Sequence, residues 1–146
     1  MLNDYLLDTH VLHWLNHDPK RIPADLLEKL SDPRRRVFAS SINAWEMRVK
    51  HGSGNWPEVE DLLNNYAARL LEYQMLELTI TSRHAHELGV VPLIARADNP
   101  TRMHNDPFDR MLIAQALSES LTLVTIDQNI HAYKTLIPLS AIWDDA

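Results

Sequence analysis

The chain has 146 residues, of which 45% are hydrophobic and 23% are charged, as is typical of one soluble globular domain with a real core. It contains no cysteine, which excludes a disulfide framework, thiolate catalysis and zinc–thiolate sites. The net charge of −6 argues against broad, non-specific nucleic-acid binding, although a cluster of acids that collects divalent cations shifts the charge in the same direction.

The N-terminus lacks the pattern of a signal peptide. Asn3-Asp4 stands where a basic start is expected, and Asp8-Thr9-His10 interrupts the apolar run. No apolar run in the sequence approaches the ~20 residues needed to span a bilayer. We therefore expect a cytoplasmic protein, with residues 1–146 forming a single domain.

The first part of the chain alternates strand and helix patterns. Tyr5–Leu7 predicts a short strand that ends on Asp8, and His10–Asn16 has the spacing of a helix. Pro23–Leu30 is predicted as an amphipathic helix, and Val37–Ala39 as a second strand.

A further helix, capped by Ser40-Ser41, contains Glu46. Its predicted apolar stripe consists of Ile42, Trp45 and Val49. Glu46 and Lys50 are four residues apart in the order that favours an exposed ion pair. Because Glu46 lies at the edge of the stripe near the helix start, its carboxylate is alternatively able to reach a crevice above the sheet.

The rest of the chain contains several weaker patterns. A long helix, a strand, a short helix and a helical turn are predicted at Glu58–Gln74, Leu76–Ile80, Ser82–Leu88 and Ile130–Thr135. Gly89–Met103 has little periodicity and is predicted as a surface loop. Leu136–Ile142 is predicted as a last strand, which Pro138 places at a sheet edge. Asp144 and Asp145 are expected in a solvated tail.

The stretch His104–Asn129 is the most informative in the chain. Asp106-Pro107 is typical of a helix N-cap followed by the first helical residue. Asp109 lies in the first turn, where an acid also stabilises the helix dipole. The following run, Leu121–Ile126, predicts a buried strand that leads directly to Asp127. Ligands of open parallel sheets bind outside the carboxyl ends of the strands, so Asp127 is where a functional acid is expected.

Four acids, Asp8, Glu46, Asp109 and Asp127, lie at predicted strand ends or in the first turns of helices. In an alternating strand–helix chain these places converge on one edge of a parallel sheet. Carboxylates held together raise one another's pKa unless a cation compensates them. All-oxygen ligation suits Mg²⁺ or Mn²⁺, which activate water and stabilise the oxygens of a displacement at phosphorus. The residues alone therefore predict metal-assisted phosphodiester hydrolysis, although each acid also has a structural explanation as a helix cap or ion pair.

The segments LLDTHVLHWL, SSINAWEMRVKHGSG, HNDPFDRMLIAQA and LVTIDQNI together resemble the PIN-domain family, most closely the VapC-type ribonuclease toxins of toxin–antitoxin pairs. They lie in the family's order and span nearly the whole chain, and their specificity lies in the ordered set. The resemblance implies an α/β fold, a three-layer α/β/α sandwich with a central parallel sheet. It also implies Mg²⁺- or Mn²⁺-dependent RNA cleavage, homodimers, and a small antitoxin protein whose tail blocks the site.

By this resemblance the four acids match the family's metal-binding set. We expect Asp8, Asp109 and Asp127 to hold the metal directly or through water, and Glu46 to complete the shell or orient the attacking water. Thr125 and Asp106 match, respectively, the hydroxyl residue before the last acid and a second acid of the DPFD motif. The candidates for steadying phosphates are Arg48, Lys50, Arg102 and Arg110, although surface solvation alone explains each of them.

Two features depart from the family pattern. Asn105 stands where relatives often carry a basic residue, which puts one phosphate contact in doubt. The loop Val91–Met103 is longer than usual, which is expected to alter access to the site or the choice of RNA.

Three other classes remain as alternatives. A response-regulator receiver, which accepts a phosphoryl group, needs a Lys at a late strand end that the run LVTID does not provide. A haloacid-dehalogenase-type phosphatase needs Asp-x-Asp after the first strand, where this chain has Asp8-Thr9-His10. A PIN-like RNA-binding module without catalysis is the third, and the four intact acids argue against it.

Overall fold

The computed structural model describes residues 3–143, so Asp144 and Asp145 lie outside the described residues. The strands are β1 (Tyr5–Leu7), β2 (Val37–Ser40), β3 (Leu76–Leu78), β4 (Ile94–Ala95), β5 (Met103–His104), β6 (Thr122–Val124) and β7 (Ala141–Ile142). The α-helices are α1 (Thr9–His17), α2 (Ala24–Leu30), α3 (Ser41–Gly52), α4 (Glu60–Asn64), α5 (Tyr66–Glu72), α6 (Ser82–Glu87), α7 (Pro107–Glu119) and α8 (Gln128–His131). Short 3₁₀ turns lie at Pro19–Arg21, Pro57–Val59, Leu88–Val90 and Ala132–Thr135.

Five of the strands form a parallel sheet in the order β3-β2-β1-β6-β7. Strand β1 lies at its centre and pairs with β2 on one side and β6 on the other. The strand order reverses direction between β1 and β6, and such a switch point opens a crevice at the carboxyl edge of an open sheet. The segments that follow β1 and β6 therefore meet at this crevice.

Both faces of the sheet are buried, because successive side chains of a strand point to opposite faces and each face packs against helices. Tyr5 and Leu7 of β1 pack into one apolar cluster, together with side chains of α1, α2, α4 and α5. Leu6 packs into a second cluster on the opposite face, with side chains of α7 and α8. Strands buried on both faces are typical of parallel sheets covered by helices. The predicted three-layer α/β/α arrangement is confirmed.

Helix α3 lies between the two layers, because it contacts α1 on one side and α7 on the other. Its buried face contains Ile42, Asn43, Glu46 and Met47. The predicted stripe was therefore wrong in part: Trp45 and Val49 are 53% and 48% exposed. Glu46 does not lie at the edge of an apolar stripe but on the buried face itself.

Three other predictions need correction. The long helix predicted at residues 58–74 is divided at Asn65, whose amide donates to the carbonyl oxygen of Asp61 (2.9 Å) and competes with the backbone ladder. The loop predicted at residues 89–103 contains β4, which pairs antiparallel with β5. The last predicted strand shortens to β7, which does lie at a sheet edge.

The helices are short. The longest, α7, has 13 residues. Within residues 3–143, no helix combines the length and apolar character that crossing a membrane requires.

Helix α7 ends on Ser120, which has a left-handed backbone (φ 53°, ψ 44°). This conformation is common at the C-terminus of helices but strains a residue with a Cβ atom. We expect Ser120→Gly to raise the free energy of unfolding by about 0.5–1 kcal/mol, measured by denaturant titration. The same change at Ser31, where φ is −92°, should not stabilise the protein. Equal effects at both positions would show that the left-handed backbone of Ser120 is not the source of the stabilisation.

Candidate active site

A cleft of about 600 Å³ opens at the crevice between the segments that follow β1 and β6. Its charged lining consists of Asp8, Glu46, Asp98, Asp106, Asp109, Asp127, Lys50 and Arg96. The four acids that the sequence singled out thus lie in one cavity, although they come from four separate segments of the chain. Their convergence is the geometric condition on which the metal-site prediction depends.

Asp8 is held in place by the start of α1 and by the end of β6. Its backbone N–H donates to the carbonyl oxygen of Val124 in β6 (2.9 Å), which continues the sheet pairing. Its carboxylate caps α1 by accepting from the Thr9 N–H at Oδ1 (2.7 Å). The buried hydroxyl of Thr125 donates to Oδ2 (2.6 Å). Asp8 is therefore both a helix cap and a wall of the cleft.

Glu46 reaches the cleft from α3 and is 3% exposed. The Thr9 hydroxyl donates to its Oε1 (2.6 Å), and the Lys50 ammonium donates to its Oε2. Asn43 in turn donates to the Thr9 hydroxyl oxygen (3.0 Å) and to the carbonyl oxygen of Leu7 (3.2 Å). This network ties α3 to the end of β1 and fixes the Glu46 carboxylate.

Asp109 lies in the first turn of α7, which Asp106 caps by accepting from the N–H groups of Phe108 (2.9 Å) and Asp109 (3.0 Å). Its Oδ2 is 3.0 Å from Nε2 of His104. The other ring nitrogen of His104, Nδ1, is 2.9 Å from the Tyr133 hydroxyl. Because His104 is fully buried and contacts Tyr133 as well, it fixes the orientation of the Asp109 carboxylate.

Asp127 completes the lining beyond the end of β6. Its side chain caps α8 by accepting from the Asn129 N–H (2.9 Å), and its own N–H donates to the Thr125 hydroxyl oxygen (3.0 Å). Thr125 therefore links Asp8 to Asp127. This is the geometric reason for a small hydroxyl residue two positions before the last acid.

Burial and mutual repulsion dominate the electrostatics of the cleft. Burial raises the pKa of Asp8 to about 7, helped by the neighbouring charge of Asp109 and opposed by the Thr125 hydrogen bond. Burial also raises the pKa of Asp109 to about 6, against the lowering effect of the His104 contact. Negative charge is thus costly in the cleft without a compensating cation.

The donor set has the chemistry of a hard-cation site, because it consists of buried carboxylate oxygens that repel one another. Within residues 3–143, however, no three acidic or histidine side chains are arranged to hold one metal ion directly. Their oxygens are instead engaged by hydroxyl, amide, ammonium and imidazole groups. A cation bound here would therefore make few direct carboxylate contacts, and water would complete its coordination.

Of the four residues predicted to contact phosphates, two line a cleft and two do not. Lys50 lines the cleft but is bonded to Glu46. Arg102 lines a neighbouring cleft of about 330 Å³, and Arg48 is exposed on α3 without reaching either cavity. Arg110 donates to the carbonyl oxygens of Pro92 (3.0 Å) and Val91 (2.9 Å), so it anchors a loop and is not available to a phosphate.

Sequence reasoning missed several residues of the site. Thr9 and Asn43 support Glu46, and His104 supports Asp109. One signal was available for His104, because it immediately precedes the acidic start of α7. The contacts of Thr9 with Glu46 and Asn43 join residues more than 30 positions apart and leave no local pattern.

Comparison with known proteins gives one consistent result. The sequence model of the PIN domain matches residues 5–136. Ribonuclease VapC22 of Mycobacterium tuberculosis is 24% identical over 140 residues, which cover 94% of this chain and 97% of that protein.

Solved structures share the fold. VapBC2 of Rickettsia felis, bound to a DNA fragment from its promoter, superposes with a TM-score of 0.65 at 16% identity, covering 94% of this chain and 96% of that chain. DNA-bound VapBC of Salmonella typhimurium superposes with a TM-score of 0.61 at 19% identity, covering 97% of this chain and 98% of that chain.

The raised pKa of Asp8 predicts a pH-dependent stability. Asp8 has an ordinary pKa of 3.8 and a folded-state pKa of about 7. Its contribution to the free energy of unfolding is therefore complete below pH 4, where the carboxyl is protonated, and is lost as the pH rises through 7. Without divalent cations, Asp8→Asn should therefore melt roughly 10 °C above the wild-type protein at pH 8 and close to it at pH 4. Thermal unfolding at both pH values measures this, with the exposed Asp25→Asn as control. A pH-independent difference would contradict the prediction.

Proposed function

We propose that this chain, which belongs to the PIN domain family, is a metal-dependent endoribonuclease that hydrolyses RNA phosphodiester bonds as the toxin of a toxin–antitoxin pair. The observation that supports this most is the meeting of Asp8, Glu46, Asp109 and Asp127 in one cleft. The relative from M. tuberculosis is named a ribonuclease, which supports RNA as the substrate class.

Mg²⁺ or Mn²⁺ is the cofactor that the carboxylate lining favours. Asp8, Asp109 and Asp127 would hold it, in part through water, because Mg²⁺ usually binds one or two carboxylates and keeps several waters. Glu46 would complete the shell or orient the attacking water. When bound, the cation supplies charge stabilisation at the phosphate and a more acidic water.

The chain's own residues fix the acids before any substrate binds. Thr125 and Thr9 orient Asp8 and Glu46 through hydrogen bonds of 2.6 Å each. Lys50 partly balances the Glu46 charge. This preorganisation reduces the side-chain rearrangement that the reaction requires.

Hydrolysis also needs a proton acceptor. The water oxygen that forms the new bond to phosphorus loses a proton, and the ribose oxygen that leaves gains one. If Glu46 orients the attacking water, its carboxylate in the cleft would be the group placed to accept that proton.

The partners follow from the same family. Several solved structures of similar fold are named VapBC or FitAB, and two of these VapBC assemblies are bound to DNA. We propose that this chain pairs with a small antitoxin protein that blocks the cleft, and that it forms a homodimer in the cytoplasm. Exposed Trp45, in edge-to-face contact with Phe108, offers apolar surface for such an assembly.

We expect Asp8→Asn and Asp109→Asn each to reduce RNA cleavage at least a hundredfold while the fold is retained, because each removes a charge from the metal-binding set. Gel analysis of total RNA measures cleavage, and circular dichroism measures folding. The exposed Asp25→Asn is the matched control and should cleave normally. Full activity in both cleft variants would refute the assignment. Binding of RNA without cleavage by the wild-type protein would favour the silent module, and labelling by a phosphoryl donor would favour a receiver.

Metal binding is testable without an activity assay. At pH 7.5, Mn²⁺ should raise the melting temperature of the wild-type protein, because a ligand that binds only the folded state stabilises it. The increase should be much smaller in Asp8→Asn and Asp109→Asn and unchanged in Asp25→Asn. EDTA should abolish both the increase and RNA cleavage. Undiminished cleavage in EDTA would exclude the proposed metal dependence.

A further inference from the structure

A second cleft, of about 510 Å³, adjoins the acidic one. The two cavities share His10 and Trp14 of α1 as lining residues. We call this second cavity the aromatic cleft. Its planar side chains are His10, His13, Trp14, His17, Arg21 and Trp56. The proposed cleavage site therefore continues directly into a cavity of different chemical character.

The side chains of the aromatic cleft are already stacked on one another. The ring of His10 lies parallel to that of Trp56, with centroids 4.6 Å apart and an interplanar angle of 26°. His13 and His17 stack in the same way, at 5.0 Å and 16°. The Arg21 guanidinium lies 4.3 Å from the centroid of Trp14. These contacts fix flat surfaces in a defined orientation at the mouth of the acidic cleft.

Burial divides these residues into a floor and a rim. Trp14, Trp56 and His13 are at most 9% exposed and form the floor. Burial and the neighbouring His17 lower the pKa of His13 to about 4, so its ring is neutral at pH 7 and packs as an aromatic group. His10, His17 and Arg21 are exposed, so their rings and guanidinium remain accessible to a ligand.

Planar groups of this kind select a flat ligand. Unpaired nucleobases stack on aromatic side chains and on Arg guanidinium planes, whereas bases within a duplex are already stacked. The rim also contains the carboxylates of Asp18 and Glu58, which disfavour a phosphate. The chemistry of the aromatic cleft therefore favours a base over a phosphate group.

We propose that the aromatic cleft binds an unpaired nucleobase next to the scissile bond, with His10 as its stacking surface. This inference rests on the proposed RNA cleavage. His10 is suited to the role because it lines both cavities and its imidazole is already stacked on Trp56.

The test measures the binding of a random-sequence, fluorescein-labelled single-stranded RNA pool by fluorescence anisotropy, in the Asp109→Asn background so that the RNA stays intact. Adding His10→Ala should weaken binding about tenfold, as expected for the loss of one stacked base. His10→Phe, which retains a flat ring, should restore most of the affinity. His86→Ala, at an exposed histidine of α6, is the matched control and should bind normally.

A base-free ribose-phosphate oligomer separates stacking from backbone contacts. The His10-containing protein should prefer normal RNA to this oligomer, and His10→Ala should lose most of that preference. Duplex RNA should bind more weakly than the single strand. Equal losses of affinity for both oligomers, or none for either, would overturn the inference.

The two proposals fail in distinguishable ways. If the wild-type protein cleaves RNA and His10→Ala binds the pool normally, only the aromatic cleft is misassigned. If His10→Ala weakens binding of a protein partner but not of RNA, the cleft is a protein-binding surface and the inference is wrong. If the wild-type protein neither cleaves nor binds RNA, both proposals fall.

Discussion

The structure depends on holding several carboxylates together against their mutual repulsion. Burial and like charge raise the pKa of Asp8 and Asp109, and removing these acids from water opposes folding. Hydroxyl, amide, ammonium and imidazole groups compensate this cost from behind the cleft. The buried carboxylates thus lower the free energy of unfolding and at the same time give the cleft a strong negative electrostatic potential, a combination that is common at functional sites.

The strand order of the sheet brings these charged side chains together. Placing β1 at the centre of the sheet brings the first strand beside β2 and β6. The residues after these strands then share one edge, and α3 crosses between the layers to add Glu46. The aromatic cleft adjoins this edge because α1 follows its N-cap Asp8 directly and carries His10 in its first turn, with His13 and His17 further along.

The sequence was informative where function coincides with local pattern. Asp8 and Asp127 were predictable because acids directly after apolar strands lie at the carboxyl edge of a parallel sheet. The position of Glu46 at the cleft was predicted, although its helix face was assigned incorrectly because Trp45 and Val49 are apolar yet exposed. The two-residue strands β4 and β5 are too short for any periodicity, and the contacts of Thr9, Asn43 and His104 depend on tertiary structure. The ordered set of four motifs, rather than any single motif, identified the family.

The central position of β1 also affects when the site can form during synthesis. Asp8 is translated 117 residues before its hydrogen-bond partner Thr125, and Asp127 follows Thr125 closely. Before β6 emerges, β1 lacks one of its two sheet partners and Asp8 lacks the hydroxyl that orients it. The cleft that brings Asp8 and Asp127 together therefore cannot form on a nascent chain that is shorter than about residue 127.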